Sequence, residues 1–277
     1  MNAREMVGDV CSLDVHESGA LDSSPWCLLP KRGSSRKGIG IQFSDSADEG
    51  QEPARTAFQS ELDQLRLQVE VMALKVDEQI RRAVSVLLTG DEDVARTVVD
   101  SDDEIDDMLV SLTERCYDLL ARQNPVAVDL RLVVSVIRIL GDLERTGDLC
   151  LRIVKLCPDQ PLLAGNPSTF DLLKDMSREA LDLYRLAIKA WASLDLSLAL
   201  TLDARDSSMD EHNKRLMEAI LALEGPMAVP IAVKTLLAGR ALERIADHSV
   251  MVGERIRYML TGDIQSLSRE VGPNRES

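Results

Sequence analysis

Aromatic residues are scarce in this chain. Three Phe, three Tyr and two Trp amount to 3% of its 277 residues. That is too few for the inner faces of a β-sandwich or barrel, whose strands favour aromatic and β-branched side chains. An excess of positive charge is also missing: 32 Lys and Arg stand against 47 Asp and Glu, for a formal net charge of −15. This balance excludes the broad basic surface that nucleic-acid binding needs, and it disfavours charge-driven docking on anionic lipid. No apolar run approaches the roughly 18 residues of a membrane span, and the N-terminus has no continuous signal-peptide core. The five cysteines, Cys11, Cys27, Cys116, Cys150 and Cys157, are odd in number and lack metal-ligand spacing, which fits a reduced, cytoplasmic protein. Glycine-rich phosphate loops, Ser/His/Asp arrangements and Cys/His nucleophile pairs are absent from the sequence, so no motif marks the chain as an enzyme.

What is present is helical periodicity. Residues 1–54 are rich in Gly, Ser, Pro and Asp and keep no helical period; they are expected to be a disordered or accessory N-terminal extension. From Arg55, apolar residues recur every three or four positions, through Leu62, Leu65, Val69, Met72, Val76, Ile80 and Leu87. Gly90 and Asp91 provide a stop and a new N-cap. A second helix is expected to run to about Arg122, and Asn124-Pro125 separates it from a third over about Val126–Leu156. Pro158, Pro161, Gly165 and Pro167 mark a linker over 158–167. Three more helices follow, over about Ser168–Ser193, Asp195–Leu223 and Val229–Thr261, with a flexible tail over 264–277. Landmarks repeat: Asp102 and Asp206 are 104 positions apart, as are Asp91 and Asp195, while Glu144 and Glu243 are 99 apart. The expected fold is all-α, two tandem three-helix bundles (55–157 and 168–263) of six long helices related by internal duplication.

The same duplication organises the acidic residues. Asp102/Asp106 and Glu144/Asp148 form one set of i,i+4 carboxylate pairs, and Asp206/Asp210 and Glu243/Asp247 form another. Positions i and i+4 share a helix face. Facing helices would therefore gather about four carboxylates at each of two places, where like charges call for a cation. A hard cation prefers such oxygen donors. Magnesium, manganese, iron, calcium and zinc all remain open. The three histidines do not complete the Glu-x-x-His phrase of di-iron bundles. Two other readings stand beside a metal site. Arg145 and Arg244 follow the two glutamates directly, and with Arg131 they offer an ion-free salt-bridge network, as in a metal-free helical adaptor. A carboxylate-cluster metallohydrolase is the third reading.

Four segments in order resemble the PhoU family. They are Arg55-Thr56-Ala57-Phe58-Gln59-Ser60-Glu61-Leu62, Pro125-Val126-Ala127-Val128-Asp129-Leu130-Arg131, Leu143-Glu144-Arg145-Thr146-Gly147-Asp148 and Leu242-Glu243-Arg244-Ile245-Ala246-Asp247-His248. The resemblance spans about Arg55 to Asp263. It implies two tandem three-helix bundles and a cytoplasmic, non-enzymatic negative regulator of phosphate uptake and phosphate-starvation signalling. The implied partners are the ATPase subunit of a phosphate ABC transporter, a phosphate-sensing histidine kinase and a second copy of the chain. Multinuclear iron or zinc would sit on the eight carboxylates, Asp102, Asp106, Glu144, Asp148, Asp206, Asp210, Glu243 and Asp247. The second repeat has Ala228-Val229-Pro230-Ile231-Ala232 where the first has Val128-Asp129-Leu130-Arg131, which predicts weaker support for the second cluster.

Overall fold

A computed structural model describes residues 51–123 and 125–267. Eight α-helices follow one another among them: α1 (Gln51–Thr89), α2 (Glu92–Asp100), α3 (Asp102–Gln123), α4 (Val128–Val154), α5 (Gln160–Ala164), α6 (Pro167–Ser193), α7 (Leu196–Leu221) and α8 (Ala228–Thr261). No strand occurs among the described residues. The fold is all-α, as the periodicity predicts. The duplication is visible as α1, α2–α3 and α4 against α6, α7 and α8.

Local chemistry sets the helix ends. Asp91 accepts hydrogen bonds from the backbone N–H groups of Asp93 and Val94, each at 3.0 Å. Its duplicate Asp195 caps α7 in the same way, from Ser197 at 2.8 Å and Leu198 at 3.3 Å. Each cap satisfies two of the four N–H groups that a helix start leaves unpaired. Gly90, at φ +72°, ends α1 in the left-handed region that glycine enters without cost.

Four boundaries differ from expectation. Helix α1 begins at Gln51, four residues ahead of the expected Arg55, while residues 1–50 of the expected extension lie outside the described residues. The expected second helix is two: Ser101 interrupts it, so Asp102 opens α3. The linker over 158–167 is mostly helical, with a 3₁₀ turn at Cys157–Asp159 followed by α5. Prolines at the first positions of such short helices are tolerated because their missing N–H has no partner to lose. In the expected C-terminal tail, Ile264–Leu267 form a 3₁₀ turn with Leu267 buried; residues 268–277 lie outside the described residues.

The two repeats share one core. Helices α4 and α8 run antiparallel along each other: Arg131 reaches the Met259 carbonyl, Ser135 the Arg255 carbonyl, and Asp142 meets His248. Helices α1 and α6 join beside them, where the Tyr184 hydroxyl donates to the Ala73 carbonyl at 2.8 Å and Arg185 pairs with Asp77 at 2.9 Å. Trp191 and Tyr184 are the largest fully buried side chains among the described residues. Cys116, Cys150 and Cys157 are buried free thiols. Burial pushes the Cys116 thiol up to about 12, so it behaves as a small apolar group and not as a nucleophile.

Candidate functional site

The first acidic set lies where α3 crosses α4. Asp102 and Asp106 occupy the first turns of α3, and Glu144 and Asp148 the middle of α4. Asp102 and Glu144 are half-buried; Asp106 and Asp148 are exposed. Gly147 allows the helices to come this close. A Cβ there would stand 3.1 Å from Gln79 Oε1 and 3.4 Å from Asp102 Oδ1.

The four carboxylates share one electrostatic field. Burial raises the Asp102 pKa above its ordinary value; a hydrogen bond from Gln79 opposes this, and the charges of Asp106, Asp148 and Asp103 add to it. Glu144 is raised by burial and then by Asp148, Asp106 and Asp102, with Arg145 pulling the other way. Gln79, contributed by α1, is itself buried beside the set. Its Nε2 lies 3.4 Å from both Ser101 Oγ and Asp102 Oδ1. Its Oε1 is buried without a hydrogen-bond partner.

The second set lies between α7 and α8, and it differs. Asp206 and Asp210 are in the middle of an unbroken α7, with Glu243 and Asp247 on α8. Glu243 is already engaged: Asn213 Nδ2 donates to it at 3.1 Å, and Arg240 forms an ion pair with it one turn back along α8. Burial raises the Glu243 pKa, Arg240 opposes the rise, and the charges of Asp247 and Asp210 reinforce it. The neutralising cation here is therefore Arg240. Arg244 lines a pocket between α4 and α8, and Arg131 crosses to the Met259 carbonyl at 3.2 Å.

The two sets thus differ in their fit to a cation. Among the described residues, no group of three or more His, Cys, Asp or Glu side chains is arranged to hold a metal ion. The donor chemistry of the first set nevertheless suits a hard cation: it offers only oxygens, has two of its four like charges half-buried, and has the unpartnered Gln79 Oε1 beside Asp102. Asp102, Asp106, Glu144 and Asp148 would hold the ion, which would supply the missing counter-charge and tie α3 to α4. The second set carries its own counter-charge in Arg240 and fits a cation less well.

Sequence reasoning missed a charged group in the interior. Asp142 Oδ1 lies 3.1 Å from His248 Nδ1, and Asp142 Oδ2 lies 3.1 Å from Arg255 Nε. All three side chains are at least nine-tenths buried, on the seam between α4 and α8. A signal for them was available. Ser135, Ile139, Asp142, Thr146, Leu149 and Ile153 follow one 4-3 spacing, as do Ala241, Ile245, His248, Val252, Arg255 and Met259. Charged residues on a core spacing imply paired partners.

Comparison with known proteins places both repeats in one family. Residues 69–157 and 173–256 each match the PhoU domain. The chain is 33% identical over 210 residues to the phosphate-specific transport system accessory protein PhoU homolog 1 of Thermotoga maritima, covering 74% of this chain and 89% of that protein. A PhoU homolog 1 from Mycobacterium tuberculosis is 32% identical over 212 residues, covering 75% and 95%. The crystal structure of PhoU from Pseudomonas aeruginosa superposes with a TM-score of 0.69 at 30% identity, covering 74% of this chain and all of that one. The phosphate transport system regulatory protein PhoU from Streptococcus pneumoniae gives a TM-score of 0.68 at 26% identity, covering 75% and 98%.

Proposed function

Because the chain belongs to the PhoU family, we propose that it is an accessory protein in the regulation of phosphate transport, and not an enzyme. In this reading it represses phosphate uptake and the phosphate-starvation response. It does so in the cytoplasm, as a homodimer, by binding the ATPase subunit of a phosphate ABC transporter and a phosphate-sensing histidine kinase. The observation that carries the reading is that the chain contains both PhoU repeats and spans 89% of the Thermotoga relative, with an acidic set in each repeat. The structure also offers docking surface. Leu67, Val71 and Leu74 stand exposed at i, i+4 and i+7 on α1, the spacing by which a helix presents an apolar stripe to a partner. No helix among the described residues is long and apolar enough to cross a membrane, so attachment to a transporter would run through protein contacts.

Deleting the gene in its own cell and following a phosphate-starvation reporter at high phosphate tests the role. Derepression, restored by the intact gene and accompanied by co-purification of the transporter ATPase, is expected. Unchanged reporter output on deletion would sink the proposal. The acidic sets, on this reading, hold iron or zinc, or magnesium or manganese, and stiffen the facing helices. The Arg240–Glu243 ion pair favours the metal-free adaptor as a second reading for the second repeat. Elemental analysis of protein purified without chelator separates them. Metal-dependent phosphoester turnover lost in Asp148→Ala would instead establish the hydrolase.

A further inference from the structure

A concave, cation-lined pocket of about 450 Å³ lies between the end of α4 and the first half of α8. Arg152 and Lys155 come from the α4 side, and Lys234, Arg240 and Arg244 from α8. Five cations in one concavity are unexpected on a chain of net charge −15. Two have acidic partners: Lys234 pairs with Asp159 at 2.8 Å, and Arg240 with Glu243. The side chains of Arg152, Lys155 and Arg244 make no hydrogen bond or ion pair among the described residues. Arg152 and Lys155 also offset the negative C-terminal end of α4. That explanation does not extend to Lys234, Arg240 and Arg244, which sit far from the C-terminus of their own helix. Apolar lining comes from the buried Leu149, Leu156 and Ala241 and from Leu237, which is exposed.

We propose that this pocket binds a small soluble phosphoanion that carries an apolar or aromatic group, the chemistry of a nucleoside polyphosphate. The volume is in the range of small-molecule sites. Arginines clamp phosphate oxygens with paired N–H groups, and a concave low-dielectric wall focuses their field against the acidic background. The leucine lining takes the flat face of a base. Asp159 and Glu243 compete with the ligand for Lys234 and Arg240, so affinity reflects the balance between them. The proposal goes beyond the phosphate-regulatory reading and does not depend on it.

The test is calorimetric titration of the full chain at low salt with EDTA, using ATP, pyrophosphate, inorganic phosphate and vesicles of anionic phospholipid in separate arms. Saturable binding of one ATP per chain is expected, tighter than pyrophosphate and far tighter than phosphate, and weakening as salt is added. Arg152→Ala with Arg244→Ala should lower ATP affinity at least tenfold on the scale of two lost charge contacts, with ligand-free melting lowered only slightly, by the helix-end interaction that Arg152 loses. Asp159→Asn, which releases Lys234, should raise it. If the double variant loses helicity, Lys155→Gln alone must weaken ATP binding. Absent ATP binding, equal affinity in the variants, pyrophosphate bound as tightly as ATP, or binding to vesicles without nucleotide would each overturn the proposal.

Discussion

The Asp142–Arg255 pair joins the two repeats at the centre of the molecule, and its removal should be costly. Asp142→Ala deletes a carboxylate that is 1% exposed and lies 3.1 Å from a guanidinium whose side chain is 6% exposed. It also takes from His248 its partner at 3.1 Å. Breaking a buried pair from one side costs about 3–5 kcal/mol, because the other charge stays out of water without compensation. Arg255 Nη1 still donates to the Met251 carbonyl at 3.0 Å, which places the expected loss near the lower end, about 3 kcal/mol. At roughly 2–4 °C per kcal/mol for a domain of this size, melting should fall by about 6–12 °C. Urea denaturation followed by far-UV circular dichroism gives the free energy directly. Asp142→Leu, Arg255→Met and the two combined complete a double-mutant cycle. Replacing both charges with apolar groups should cost less than either single change, with a coupling of about 2 kcal/mol or more. A single-variant loss under about 1 kcal/mol, or a double variant whose losses simply add, would refute the view that this pair is desolvated and mutually dependent.

Three further expectations follow from individual contacts. Native Asp102 and Glu144 hold their protons above the ordinary values of 3.8 and 4.5. The folded state therefore binds more protons than the unfolded chain just above that range, and this contribution to stability falls as pH rises through the raised values. With metal chelated, melting should drop more steeply with rising pH in the wild type than in Asp102→Asn/Glu144→Gln; parallel profiles would contradict the shared field. Gly253→Ala places a methyl 2.6 Å from Leu202 Cδ1 and 3.3 Å from the Ala199 carbonyl, whereas a Cβ at Gly141 meets nothing within 4 Å. Overpacking costs about 1–3 kcal/mol against a helix-propensity gain of about 1 kcal/mol, so urea titration should show Gly253→Ala destabilised by up to about 2 kcal/mol and Gly141→Ala stabilised. Tyr184→Phe removes the buried hydroxyl that donates to the Ala73 carbonyl at 2.8 Å and should cost about 1 kcal/mol by the same titration.

Much of the fold was legible because helix formation leaves a periodic trace. The apolar period from Leu62 to Leu87 predicts one buried stripe, and every residue of it named above is buried. The N-caps Asp91 and Asp195 were equally legible, since a capping side chain acts within three residues. The break at Ser101 was not. The apolar period continues through Val98 and Ile105, and no Gly or Pro marks the interruption. Met227 is 50% exposed, because it caps the start of α8 and lies outside its packed turns. Among the acidic phrases, the sequence showed which carboxylates share a face but not their counter-charges. Arg145 and Arg244 stand next to the glutamates in the chain, yet adjacent helix positions diverge by about 100°. Arg240, at i−3 from Glu243, is the one that reaches back.

The sequence by itself determined the helices, their duplication and the eight carboxylates, because period, capping and i,i+4 geometry are local properties of a chain. Tertiary structure decided what the charges mean. It set the first acidic set against the unpartnered Gln79 Oε1 and gave the second set Arg240. It also buried Asp142 with His248 and Arg255, residues 106 and 113 positions away in the chain. Charge energetics depend on burial and on partners far along the chain, and packing alone brings those together.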